Sequence, residues 1–169
     1  MKVDTKQGFT LLELLIVLAI ISIVGVIASY NWNHYVRNAD LRTLTREITS
    51  DIAKLKQYAA RDELCYRISI YTASNGNKYT LERGNSGTCA SAAFTVLETK
   101  SPSTLGLRDG LNITSTTYGG DDIEFQTRGT ITAGAAAPPY SVVLSSSTGS
   151  NATITSNMTG KTYVTYNMR

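Results

Sequence analysis

The chain is most constrained by one stretch, Phe9 to Ala28, which is almost wholly apolar. As a helix it is long enough to cross a hydrocarbon core of about 30 Å. It contains a single charge, Glu13. A carboxylate at bilayer depth costs about 2.5–3.5 kcal/mol even on lenient insertion scales, so it calls for a partner and a purpose. An apolar run at this place has two ordinary readings, a secretory signal or a plain membrane anchor. Val26-Ile27-Ala28 offers a small-residue cleavage site for the first. Glu13 would weaken a signal and serves nothing in a plain anchor. The mature N-terminus separates these readings: Ser29 for a secretory signal, Met1 for an anchor.

Lys2 and Lys6 precede the apolar run, and the positive-inside rule keeps them cytoplasmic while everything after Ala28 is exported. The formal charge of the 169 residues is +3. Removing residues 1–8 takes away two positive charges and one negative, Asp4, leaving +2, which is too little to argue nucleic-acid binding from bulk electrostatics. The two cysteines, Cys65 and Cys89, both fall in the exported part, where an even number usually pairs. A metal site is the other use of cysteine, but the sole histidine, His34, is the only further ligand of that kind.

Beyond Ala28 the chain turns polar without losing helical character. No glycine or proline occurs between Tyr30 and Arg61. Leu41, Leu44, Ile48, Ile52, Leu55 and Ala59 recur at steps of three and four, predicting one buried face, with Arg42, Arg46, Glu47, Asp51, Lys54 and Lys56 on the others. A single rod of about fifty residues, about 80 Å long, is expected. Gly25 is its weak point, costing about 1 kcal/mol relative to alanine, and reads equally as a place of close helix packing.

From Cys65 the period changes to two. Tyr66, Ile68 and Ile70 alternate with Arg67 and Ser69, and Asn75-Gly76 predicts a hairpin turn into Lys78–Arg83. Further strands are expected at Phe94–Glu98, Leu111–Thr114, Ile123–Phe125, Tyr140–Leu144, Ala152–Thr155 and Thr162–Tyr166, with loops at Gly119-Gly120 and Gly134–Pro139. The expected fold is α+β, a long N-terminal helix packed on an antiparallel β-sheet head.

Gly8-Phe9-Thr10-Leu11-Leu12-Glu13-Leu14 after a short basic leader resembles the class III signal of type IV pilins and type II secretion pseudopilins. The resemblance implies cleavage between Gly8 and Phe9 by a prepilin peptidase and N-methylation of Phe9. It makes Glu13 the fifth residue of the mature chain, an acid that pairs with a neighbour's N-terminus and sets the subunit stagger. The implied divisions are a leader at 1–8, a transmembrane and assembly helix at 9–28, an amphipathic helix at 29–62 and a β-rich head at 63–169. Ile123-Glu124-Phe125-Gln126-Thr127-Arg128-Gly129, the Val142–Leu144 strand and Thr159-Gly160-Lys161 are similar to the head of GspH/FimT-like minor pilins, so a minor pilin is implied. Its partners would be other pilin or pseudopilin subunits, the prepilin peptidase, the inner membrane and assembly platform proteins, with the head in the periplasm. Some FimT-like pilins take up DNA, and Arg128, Lys161 and Arg169 are the candidate phosphate contacts. Residues 65–118 match no pattern of the family.

No nucleophile elbow, zinc-protease helix or phosphate-binding glycine loop is present, so no catalytic residue, no cofactor and no metal is expected. His34, beside Trp32 and Tyr35, reads as part of a membrane–water interface. Asp121, Asp122 and Glu124 give three acids in four residues, a calcium-like grouping that reads more simply as charge at a strand entry.

Overall fold

The computed structural model describes residues 9–117, 122–132 and 139–169, in two compact units, the second beginning at Arg37. Helix α1 spans Leu11–Asp62. In the first unit its large apolar side chains from Leu11 to Ile27 lie between 44% and 82% exposed, so nothing among the described residues buries them. Among the described residues this is the one helix long and apolar enough to cross a membrane.

In the second unit, Leu41, Leu44, Ile48, Ile52, Leu55 and Ala59 are each at most 1% exposed. The three-and-four spacing therefore does set the buried face. The helix ends where Glu63 takes a left-handed conformation, φ 55°. Asp62 then accepts hydrogen bonds from the Tyr66 hydroxyl and the Arg61 guanidinium, both at 2.6 Å. These two donors, Arg61 first, hold its carboxyl down at about 2.

Nine strands follow among the described residues. They are β1 (Tyr66–Tyr71), β2 (Lys78–Gly84), β3 (Phe94–Lys100), β4 (Leu111–Thr116), β5 (Asp122–Phe125), β6 (Ile131–Thr132), β7 (Tyr140–Ser146), β8 (Asn151–Ser156) and β9 (Thr162–Asn167). They form two antiparallel sheets, ordered β3-β2-β1-β5-β6 and β4-β7-β8-β9. Ile68, Ile70, Tyr79, Leu81, Ile123 and Phe125 face inward from the first sheet; Val142, Leu144, Ala152 and Ile154 do so from the second. With the helix face they make one core. Burying a large aliphatic side chain contributes about 1.5–3 kcal/mol, so this shared core dominates the stability of the unit.

The hairpin at Asn75-Gly76 is present, but its loop is six residues long and carries a 3₁₀ turn at Ala73–Asn75. Gly76 and Asn77 both take positive φ there, so the glycine ends the turn rather than forming a two-residue hairpin. The loops expected at Gly119-Gly120 and from Gly134 to Pro138 lie outside the described residues.

One helix residue departs from the expected polar face. Asp51 is 3% exposed and sits in the core. The Tyr79 hydroxyl donates to it at 2.9 Å, and Lys100 Nζ donates to both its oxygens at 2.9 and 3.1 Å and to Glu47 at 2.7 Å. A buried charge survives only when paired and hydrogen-bonded, and this one is. Burial pulls the Lys100 pKa down, but Glu47 and Asp51 outweigh it and the net shift is upward. The Tyr79 phenol is pushed up by burial and by Asp51. These bonds fasten α1 to β2 and to the end of β3.

Candidate assembly and processing site

Phe9 and Thr10 precede the helix and are exposed. The Glu13 backbone N–H donates to Thr10 Oγ1 at 3.2 Å, and the Thr10 backbone N–H reaches back to Glu13 Oε2 at 3.5 Å. Thr10-Leu11-Leu12-Glu13 is therefore a capping box, the threonine–x–x–glutamate arrangement that satisfies two orphan donors of a helix start. The sequence spacing carried that signal, and the reading of Glu13 as serving nothing in an anchor overlooked it. A carboxylate here also lies at the positive end of the helix dipole. Glu13 thus has a local role in a single subunit, and any role between subunits is added to it. Gly8 lies outside the described residues.

Along the same unit, Ser22 Oγ donates to the Leu18 carbonyl at 2.8 Å, folding its polar group back onto the helix. A methyl group added at Gly25 would meet nothing within 4 Å among the described residues. Trp32 and Tyr35 are 64% and 69% exposed with ring centroids 6.3 Å apart, an aromatic pair of the kind found at a membrane–water boundary.

Cys65 and Cys89 are joined, with Cα atoms 5.2 Å apart and both residues buried. The bridge fixes the 85–93 segment beside the end of α1, where Cys65 N–H also donates to the Ser86 carbonyl at 2.8 Å. Gly87 packs there so closely that a Cβ would lie 2.9 Å from the Glu63 carbonyl oxygen.

The two late glycine turns meet over one lysine. Gly129 (φ 70°) closes the turn between β5 and β6, and Gly160 (φ 74°) the turn between β8 and β9. The aliphatic stem of Lys56 runs against both, at 3.2 Å from a Cβ built on Gly129 and 3.0 Å from one on Gly160. Its Nζ donates to the Thr159 carbonyl at 2.8 Å. Arg128 and Lys161 flank these turns and are exposed. Arg169 is elsewhere: Asn38 Nδ2 donates to its carbonyl at 3.1 Å. Asn38 and Lys56 are eighteen residues apart on α1, so about 27 Å separates Arg169 from the other pair. The three cations do not form one patch.

Asp122 is tied to Arg67 at 3.4 Å, and Arg67 also holds Glu82 at 2.5 Å. Glu124 lies opposite Arg67 in the sheet, and burial and then Asp122 push its pKa up. These acids serve the outer face of the first sheet. Asp121 lies outside the described residues, and no group of three or more acidic, histidine or cysteine ligands suited to a metal occurs among the described ones.

A family model described as the prokaryotic N-terminal methylation motif matches residues 4–29. That match stands beside the long helix and the antiparallel head. The chain fits a type IV pilin-like protein. No curated protein and no solved structure matches it. A pilin-like motif points to a structural protein rather than an enzyme, to processing by a prepilin peptidase and to assembly with other pilin subunits.

Proposed function

We propose that this pilin-like chain is a minor pilin, an inner-membrane subunit with a periplasmic head that joins a type IV pilus and helps to initiate or cap it. The observation that carries the reading is the methylation motif set on a helix whose apolar half is left exposed by the described residues. Twenty residues of greasy surface need either lipid or neighbouring helices, and a subunit passing from membrane to filament uses each in turn. After cleavage at Gly8, the Phe9 amine of one subunit meets Glu13 of its neighbour. Each charge is costly alone and favours in-register docking when paired. A type II secretion pseudopilin would work by the same mechanism in a shorter filament.

Mass spectrometry of the purified mature chain tests this. A chain beginning at N-methylated Phe9 is expected; one beginning at Met1 or Ser29 would overturn the proposal.

A DNA-binding reading has one observation in its favour, the convergence of the turns bearing Arg128 and Lys161 above Lys56. Arg169 lies outside that cluster. Binding through it would fall steeply with salt and be lost in Arg128→Ala/Lys161→Ala, while Arg169→Ala would leave it intact.

A further inference from the structure

Two of the four sheet edges are closed. The β4 edge is capped by Asn77, which donates through Nδ2 to the Leu111 carbonyl at 2.7 Å and accepts from the Ile113 N–H at 2.8 Å. The β6 edge is two residues long, and its Ile131 N–H donates to the Met158 carbonyl. The other two, β3 and β9, are seven and six residues long and exposed over most of their length. Neither has a second strand beside it among the described residues. Natural proteins guard such edges with outward or inward-pointing charges, with bulges or with proline. Here β9 (Thr-Tyr-Val-Thr-Tyr-Asn) has no charge at all. β3 is guarded in part, by a bulge at Leu97 and by charges turned toward the helix, Lys100 onto Asp51 and Glu47 and Glu98 within 3.8 Å of Lys100. Val96 and Leu97 meanwhile are 53% and 52% exposed.

The two open edges flank α1 on opposite sides. Asn38, Arg42 and Lys56, which touch Arg169, Tyr166 and Thr159, fall within about 40° of one another around a helix of 3.6 residues per turn. Glu47 and Asp51, which hold β3 through Lys100, lie about 180° away on the same wheel. Both strands also run in the same sense. β9 passes from beside Lys56 toward Asn38. β3 begins opposite Gly84, which is packed against Cys65 just past the helix end, and finishes at Lys100 beside Asp51. Two copies with parallel helices, set side by side, therefore present β9 of one to β3 of the next as parallel neighbours. The strand midpoints differ by about ten helix residues, so full register needs an axial offset of about 15 Å.

We propose that the heads of adjacent copies of this chain join by β9-to-β3 strand pairing, each with its helix parallel to the other and displaced along it. The contact is heterologous, so it propagates from copy to copy and leaves one open edge at either end. It rests on the filament-subunit reading and would hold together a nucleus of the initiating kind.

The test is cysteine pairing in the full-length chain, in membranes and in detergent, after mild oxidation. Val96 and Thr165 project from the same outer face and are exposed; Thr99 and Asn167 form a second pair in the same register. V96C/T165C and T99C/N167C should each give a ladder of disulfide-linked oligomers on non-reducing gels, and the four single variants should give none. T114C/T165C, which uses the capped β4 edge, should give none either. No ladder from either designed pair, or an equal ladder from the β4 pair, overturns the proposal. So does a dimer from V96C alone, which would mean a two-fold contact. A chain that begins at N-methylated Phe9 and enters filaments but forms no ladder defeats the strand pairing alone. A ladder in detergent from a chain with a different N-terminus defeats the filament reading alone.

Discussion

The two halves of α1 have the same backbone and opposite surroundings. From Leu41 to Ala59 every third or fourth residue is sealed against the sheets, while from Leu11 to Ile27 every large side chain is exposed. Helical regularity therefore does not distinguish them. The sequence around the helix does: one half alternates apolar with charged residues, and the other is apolar on all faces. The first kind finds its partner in its own chain; the second must find it in lipid or in other subunits.

The largest break in this comparison concerns the charge inside the buried half. Lys100→Met leaves Asp51 buried without its cation and should cost about 3–5 kcal/mol, read from a denaturant melt of the full chain in detergent. Asp51→Asn added to it should recover part of that loss, because the uncompensated charge is gone. Next comes the same substitution made in both halves. Leu44→Ala should cost about 2–5 kcal/mol of subunit stability. Leu18→Ala should cost less than about 0.5 kcal/mol in the isolated subunit, as an exposed position does, and lower filament incorporation instead. Equal losses of stability at the two sites would remove the distinction.

The smallest effect is a pH dependence at the helix end. Asp62 titrates at about 2 when folded, against an ordinary 3.8. Its contribution is complete above pH 3.8 and is lost as the pH falls through 2. Tyr66→Phe removes one of the two donors, so the folded value should rise toward 3.8 and stability should begin to fall at higher pH, as carboxyl chemical shifts would show.

Much of this was legible from residue patterns, for identifiable reasons. The six core positions of α1 follow from spacing alone, because a helix face is a local property. Eight of the strands were expected from alternation; β6 was not, since Ile131-Thr132 is too short to show a period. Asp51 was misplaced because its burial depends on Lys100, forty-nine residues away, and on the Tyr79 hydroxyl. Arg128, Lys161 and Arg169 were grouped by charge, and only the path of β9 along the helix separates the last of them. The open edges of β3 and β9 were likewise invisible, since which strands lie at an edge is set by strand order.

Glu13 carries the central claim, and its capping bond gives it a second role that must be separated from the first. Glutamine keeps a capping side chain and removes the charge; alanine removes both. The decisive measurement is the amount of each variant in sheared filaments relative to the membrane. The account predicts that Glu13→Gln and Glu13→Ala are both exported and inserted and that neither enters filaments. Wild-type incorporation of Glu13→Gln would contradict it and leave the acid as a helix cap alone.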